Sequence, residues 1–355
     1  MRYSLLIILV LISGSFGAKA SDWSAVRNQK FVTRKPRKIL PADPVYGEIF
    51  QKVDKAQLVQ TLQRISGSLP VTVNGNTFSI TERYSPDGKN KFRQYWRQFF
   101  TDLGITNQEF SYPTQHSVGE TDGHNLEAIL PGKSADSVVI IVHYDSIGPA
   151  GQETSNPGVD DDTSGMAMMM ETARILAQYQ SRLQYTVRFV AADYEEHAFP
   201  GLEGARNYAK YIQALSQKNG FKIVGGIDNE QSGWNCLKEG GCSDAQTKPS
   251  FDIFSCEGDG STYNFPQLND LLTDTTAHFS QLLVSQGCMG ANSDHYALWE
   301  IGVPAIVFSE HQPFDNPHFD QTGGDTFDKI DQDYFFKIAQ VGVTFAARVI
   351  NVEAN

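Results

Sequence analysis

Four short apolar runs, separated by segments of helical periodicity, constrain this chain more than any other feature. Ser137-Val138-Val139-Ile140-Ile141-Val142 is apolar without alternation, as a strand buried on both faces requires. Tyr185–Ala192, Phe221–Ile227 and Val303–Phe308 read as further buried strands. Between them, Ser164–Tyr179 carries Met166, Met169, Met170, Ala173 and Ala177 on one helical stripe. Those methionines are expected as core filler rather than as a cofactor box. Leu202–Ser216 and Phe265–Gln286 are expected as helices, and Asp331–Ile350 closes the chain with an amphipathic one. Lys89–Leu103 has Phe92, Tyr95, Trp96, Phe99 and Phe100 at helical spacing. Strands alternating with helices predict an α/β fold, a three-layer α/β/α sandwich around a mainly parallel mixed sheet.

Three of the four runs finish in chemistry. The first ends in His143-Tyr144-Asp145, the second runs out into Asp193-Tyr194-Glu195-Glu196, and the third ends in Asp228-Asn229-Glu230. In an open α/β sheet, ligands bind in the crevice outside the carboxyl ends of the strands. Asn156-Pro157-Gly158-Val159-Asp160-Asp161-Asp162-Thr163-Ser164-Gly165 enters a helix N-terminus above the same edge. Histidine plus carboxylates without cysteine is the donor set of a hydrolytic zinc site. Two Zn2+ ions about 3.5–4 Å apart need a bridging carboxylate and a base for the water they share. Two adjacent glutamates at a strand end can diverge, one to metal and one to water. Taken singly, the Asp run is a helix cap cluster and the Glu pair a solvated face; their joint occurrence at three strand ends favours a site.

The termini and the charge set the compartment and the partners. Met1-Arg2, the apolar run Ser4–Ile12 and Ala18-Lys19-Ala20 form a secretory signal with cleavage expected after Ala20. The apolar run is too short for a membrane span, which needs about 20 residues. Residues 21–45 are basic, with Arg27, Lys30, Arg34, Lys35, Arg37 and Lys38, and read as an arm or pro-segment. With 29 Lys+Arg against 41 Asp+Glu the net charge is −12, and loss of Arg2 and Lys19 leaves −14. That balance excludes a nucleic-acid partner and an anionic membrane surface. The expected location is secreted or periplasmic, with no membrane attachment after signal removal. An exported chain can keep disulfides. Cys236 and Cys242 flank a Gly-rich stretch and suit a small loop, while the pairing with Cys256 and Cys288 stays open.

These residues resemble the secreted di-zinc aminopeptidases typified by bacterial leucyl aminopeptidase, whose relatives include the glutaminyl-peptide cyclotransferases. The resemblance runs from about residue 55 to the C-terminus, through His143-Tyr144-Asp145-Ser146, Pro157–Gly165, Glu195-Glu196, Asp228, Ser293-Asp294-His295, Gly302-Val303-Pro304-Ala305, Asn316-Pro317-His318 and Asp325-Thr326. It implies a zinc-exopeptidase-like fold, with residues 46–355 as one catalytic domain. It also implies two Zn2+ held by His143, Asp161, Glu196, Asp228 and His318, with Asp161 bridging. Glu195 would be general base toward a zinc-bridging water and then general acid. Asp145 would orient His143, and Asp294 with His295 would order the site wall. The implied activity is hydrolysis of the N-terminal peptide bond by a monomer acting on peptide or protein N-termini. The alternatives are pyroglutamate formation by a glutaminyl-peptide cyclotransferase and a non-catalytic binding ectodomain on the same fold. Two departures stand out. His318 lies seven residues before Asp325 rather than three or four, so Asp320 and His311 are also candidates for the last ligand. His197-Ala198-Phe199-Pro200 lengthens the link after the Glu pair, and His197 is expected at the rim.

Overall fold

The computed structural model describes the strand at 32–34 and residues 43–354, apart from 115–117, 197–200, 240–241, 245, 255–264, 288–292 and 319–321. The signal segment, His197, Cys256, Cys288 and Asp320 therefore lie outside the described residues.

The buried strand at 137–142 is the centre of the molecule. It forms β6, Ser134–His143, flanked by β7, Tyr185–Ala192, on one side and β8, Ile223–Asn229, on the other. Both pairings are parallel, and β11, Ala305–Glu310, adds in parallel beyond β8. These four are the strands expected from the apolar runs. β4, Thr106–Pro113, and β5, Asp122–Leu130, extend the sheet antiparallel beyond β7. On the far side, β9, Ser250–Phe254, runs antiparallel to β11 and carries β10, Leu283–Gly287, and β1, Val32–Arg34. The resulting nine-stranded mixed sheet has the order β1-β10-β9-β11-β8-β6-β7-β5-β4, while β2, Val71–Val73, and β3, Asn76–Phe78, form a separate antiparallel pair.

Period-two alternation explains why β6 is apolar throughout. Val138, Ile140 and Val142 face the layer built by α4, Thr163–Leu176, and α8, Gln332–Ile350, where Met166, Met169, Met170, Phe335 and Ile338 are buried. Val139 and Ile141 face the opposite layer, with Ala205, Tyr208 and Ile212 of α5, Glu203–Asn219, and Leu298 of α7, His295–Glu300. Each of these five strand side chains contributes up to about 1.5–3 kcal/mol of burial. Phe92, Trp96 and Phe100 of α3, Pro86–Asp102, join the first layer. The earlier helices α1, Pro44–Lys52, and α2, Lys55–Ile65, pack there as well.

One expected element is corrected. The helix expected over Phe265–Gln286 is α6, Pro266–Phe279, and it ends where Ser280 turns extended (φ −133°, ψ 164°). Leu283–Gly287 pairs in register with Ser250–Phe254 and so belongs to the sheet. Its apolar residues suit either period, and the strand partners on both sides decide for β structure.

Candidate metal centre

The crevice lies where the chain reverses direction across the sheet: β7 is added on one side of β6 and β8 on the other, with the carboxyl ends of all three at one edge. His143, the last residue of β6, is fully buried. Its Nδ1 lies 3.1 Å from the Asp145 carbonyl oxygen and 3.6 Å from the Asp145 carboxylate. With the proton on Nδ1, the Nε2 lone pair faces inward. Nε2 is 3.0 Å from Asp161 Oδ1 and 3.4 Å from Glu230 Oε1. A lone pair facing carboxylate oxygens is stable only with a proton or a cation between them.

Asp145 ties two strand ends together. Its Oδ1 accepts the Glu195 N–H at 3.0 Å and its Oδ2 the Glu196 N–H at 3.2 Å. The preceding Asp193 accepts from Lys89 Nζ at 3.1 Å and from the His124 and Tyr194 N–H groups. Lys89 is fully buried and lies over the Tyr194 ring, 3.5 Å from its centre. The exit from β7 is thus fixed just before the Glu pair and at the pair's own N–H groups.

The three consecutive aspartates divide their labour. Asp160 accepts N–H bonds from Ser232, Gly233 and Trp234 at 3.0, 2.6 and 3.1 Å. Asp162 caps α4 by accepting from Gly165 N–H at 2.8 Å. Only a glycine fits at 165, since a Cβ there would sit 2.1 Å from the Asn229 carbonyl oxygen. Asp161, between them, turns its carboxylate to His143 and accepts from Gln231 Nε2 at 2.7 Å. Asp325 holds this loop from behind, taking the Asp160 and Asp161 N–H groups at 2.7 and 2.9 Å. Arg83, also fully buried, holds it from below through the Pro157 and Gly158 carbonyls at 2.6 and 2.9 Å and reaches the Tyr144 carbonyl at 2.6 Å.

Asp228 closes the crevice from β8. Its Oδ2 accepts from the His295 N–H at 3.0 Å and lies 3.2 Å from His295 Nδ1. Its Oδ1, both oxygens of Asp294 and His295 Nε2 are buried with no hydrogen-bond partner among the described residues. Desolvation pushes Glu195 well above the usual carboxylate range; His143 opposes this, while Glu230, Asp294 and Asp161 add to it. Burial likewise raises Asp162 and Asp294, and it pushes Glu230 up to about 7 against the pull of His143. His143 itself is held well above its ordinary value: burial lowers it, but Glu230, Asp145 and Asp161 outweigh that. So many crowded carboxylates and orphaned oxygens are what bound cations relieve. His143, Asp161 and Glu196 offer ligand atoms within 4.8 Å of one another, and so do His143, Asp162 and Glu230.

Of the residues singled out from sequence, His143, Asp145, Asp161, Glu195, Glu196 and Asp228 meet at this edge. The histidines considered for the last ligand point elsewhere. His318 Nε2 lies 2.7 Å from Glu239 Oε2, and His311 lies between Asp252 (2.6 Å) and Asp244 (3.0 Å). Glu230 and Gln231 are site residues to which no role was assigned from the sequence. The signal for Glu230 was present, because positions 228 and 230 share one face of an extended strand end. Arg83 had no such signal, since its partners are backbone carbonyls.

Known structures share this fold. The Legionella pneumophila LapA aminopeptidase superposes with a TM-score of 0.65 at 18% identity, covering 93% of this chain and 80% of that one. A zinc aminopeptidase from Bacillus subtilis gives 0.64 at 14% identity, over 86% and 97%. The glutaminyl cyclase of Fimbriiglobus ruber gives 0.62 at 20% identity, over 85% and 96%. The α/β architecture is therefore one that peptidases and cyclases have in common. In sequence, residues 125–346 match peptidase family M28, and the chain belongs to that family. The probable leucine aminopeptidase 1 of Trichophyton verrucosum is 28% identical over 229 residues, 64% of this chain and 58% of its own length. Leucine aminopeptidase 1 of Arthroderma otae is 28% identical over 230 residues, again 64% and 58%. The matched region thus spans less than two thirds of these relatives.

Proposed function

We propose that this protein is a secreted di-zinc aminopeptidase that hydrolyses the N-terminal peptide bond of peptides. The observation that carries the reading is the convergence of His143, Asp161, Glu195, Glu196 and Asp228, from four separate segments, on one buried edge. The leucine aminopeptidase relatives support the choice of reaction. His143 and Asp228 would hold one ion and Glu196 the other, with Asp161 between them. His318 joins this set only by leaving Glu239. Bound zinc supplies a polarised scissile carbonyl and a water acidic enough to ionise near neutral pH. Glu195 takes the proton of the attacking water and returns it to the leaving amine. The Asp145 backbone carbonyl keeps the proton of His143 on Nδ1, and its carboxylate anchors both glutamate N–H groups, one of which an amide could not accept. Asp145→Asn should therefore weaken metal binding by about 10–100-fold, readable by chelator competition.

The secretory signal supports export, and the Cys236–Cys242 disulfide fits an oxidising compartment. Among the described residues no helix is long and apolar enough to cross a membrane.

The deciding experiment is a side-by-side assay with a leucine anilide and an N-terminal Gln peptide. Release of the aniline is expected; cyclisation without hydrolysis would replace this reading with the cyclotransferase. Chelation is expected to lower thermal stability, by about 4 kcal/mol relative to free metal at a thousand times Kd. Identical melting with and without the chelator stands against a metal centre.

A further inference from the structure

We propose that Glu230 is itself a metal ligand, a role that rests on the metal reading above. Glu230 continues β8 two residues beyond Asp228, and its N–H donates to the Phe308 carbonyl at 3.1 Å, which fixes its backbone against β11. Its Oε1 lies 3.4 Å from His143 Nε2, the same nitrogen that Asp161 Oδ1 approaches to 3.0 Å. Ligand atoms about 2.1 Å from one tetrahedral ion stand about 3.4 Å apart, so these separations leave room for an ion. The other oxygen, Oε2, accepts from Ser293 Oγ at 2.7 Å. One oxygen is thus held by a neighbour and the other is offered to the crevice, the arrangement that orients ligating carboxylates. An independent pointer lies beside it. Asp228 is fully buried, and its Oδ1 has no hydrogen-bond partner among the described residues. The two imidazoles considered for the last ligand are engaged elsewhere, His318 with Glu239 and His311 with Asp252 and Asp244. The centre is therefore richer in carboxylate than the sequence spacing implies.

The test is a titration of the purified, metal-stripped full-length chain with Zn2+ against a competing chelator, with the visible spectrum of the Co2+ form as a second readout. Glu230→Gln keeps the side-chain shape and is expected to weaken one of two sites by more than about 100-fold and to change the Co2+ bands. Ser293→Ala frees Oε2 and is expected to cost that same site about 10-fold. Two wild-type sites with Glu230→Gln unchanged in affinity and spectrum overturn the role of Glu230 and leave the aminopeptidase reading intact. A wild-type chain that binds no Zn2+ overturns both. If Glu230→Gln does not fold, Ser293→Ala decides: an unaltered titration counts against the proposal.

Discussion

Glu195→Gln is expected to lower kcat by about 10²–10⁴-fold while both metal sites stay filled. The amide has the size of the carboxylate, so the backbone anchor from Glu195 N–H to Asp145 Oδ1 should survive. What it cannot do is accept the proton of an attacking water. The neighbouring Glu196 points to a different task, since it joins His143 and Asp161 in a compact donor set. Metal content by elemental analysis, beside kcat on a leucine anilide, separates loss of the base from loss of the ions. A variant with full activity and a full metal complement would show that the base is another group.

Arg83→Met is expected to destabilise the protein by about 3–5 kcal/mol, the usual cost of removing one partner from a buried charged network. For a chain of this size that is a fall of roughly 4–7 °C in Tm. The guanidinium is fully buried and reaches four carbonyls: Tyr144, Pro157 and Gly158 closely, and Ile65 at 3.4 Å. Burial lowers its pKa, but Asp325, Asp145, Asp162 and Glu82 oppose that and balance its charge. Methionine would fill part of the volume and strand the carbonyls. Lysine should rescue poorly, because a single ammonium cannot span carbonyls from three segments. Since two of the segments lead to His143 and Asp161, metal affinity should fall along with Tm. Calorimetry of the chelated forms isolates the fold's share of the loss, and unchanged melting there would mean that the carbonyls find other donors.

The central strands β6, β7, β8 and β11 were legible because burial on both faces leaves a mainly apolar run, whereas β9, Ser250–Phe254, is just as buried but short and interrupted by Asp252. β4 was not legible, because at the sheet edge its residues are mostly half-buried or exposed. The sheet strand at Leu283–Gly287 was hidden for a different reason: its apolar residues continue the period of the helix before it, and only pairing with Ser250–Phe254 distinguishes the two. Within the site, residues that project from strand ends could be read from position. Those that act through the backbone could not. Asp160 and Asp162 look identical to Asp161 in the sequence, yet hydrogen bonds from 231–234 and the start of α4 turn them to structural work.

The placement of β6 between two later strands has a consequence for how the protein is made. His143 emerges first, the Glu pair about fifty residues later, and Asp228 last of the three strand-end groups. Strand pairings between segments this far apart pay for closing long loops before any contact repays them, so the edge assembles late. A nascent chain that stops short of β8 lacks one wall of the crevice. On the metal reading, an ion held by all three strand ends would report that the sheet has closed around β6 on both sides.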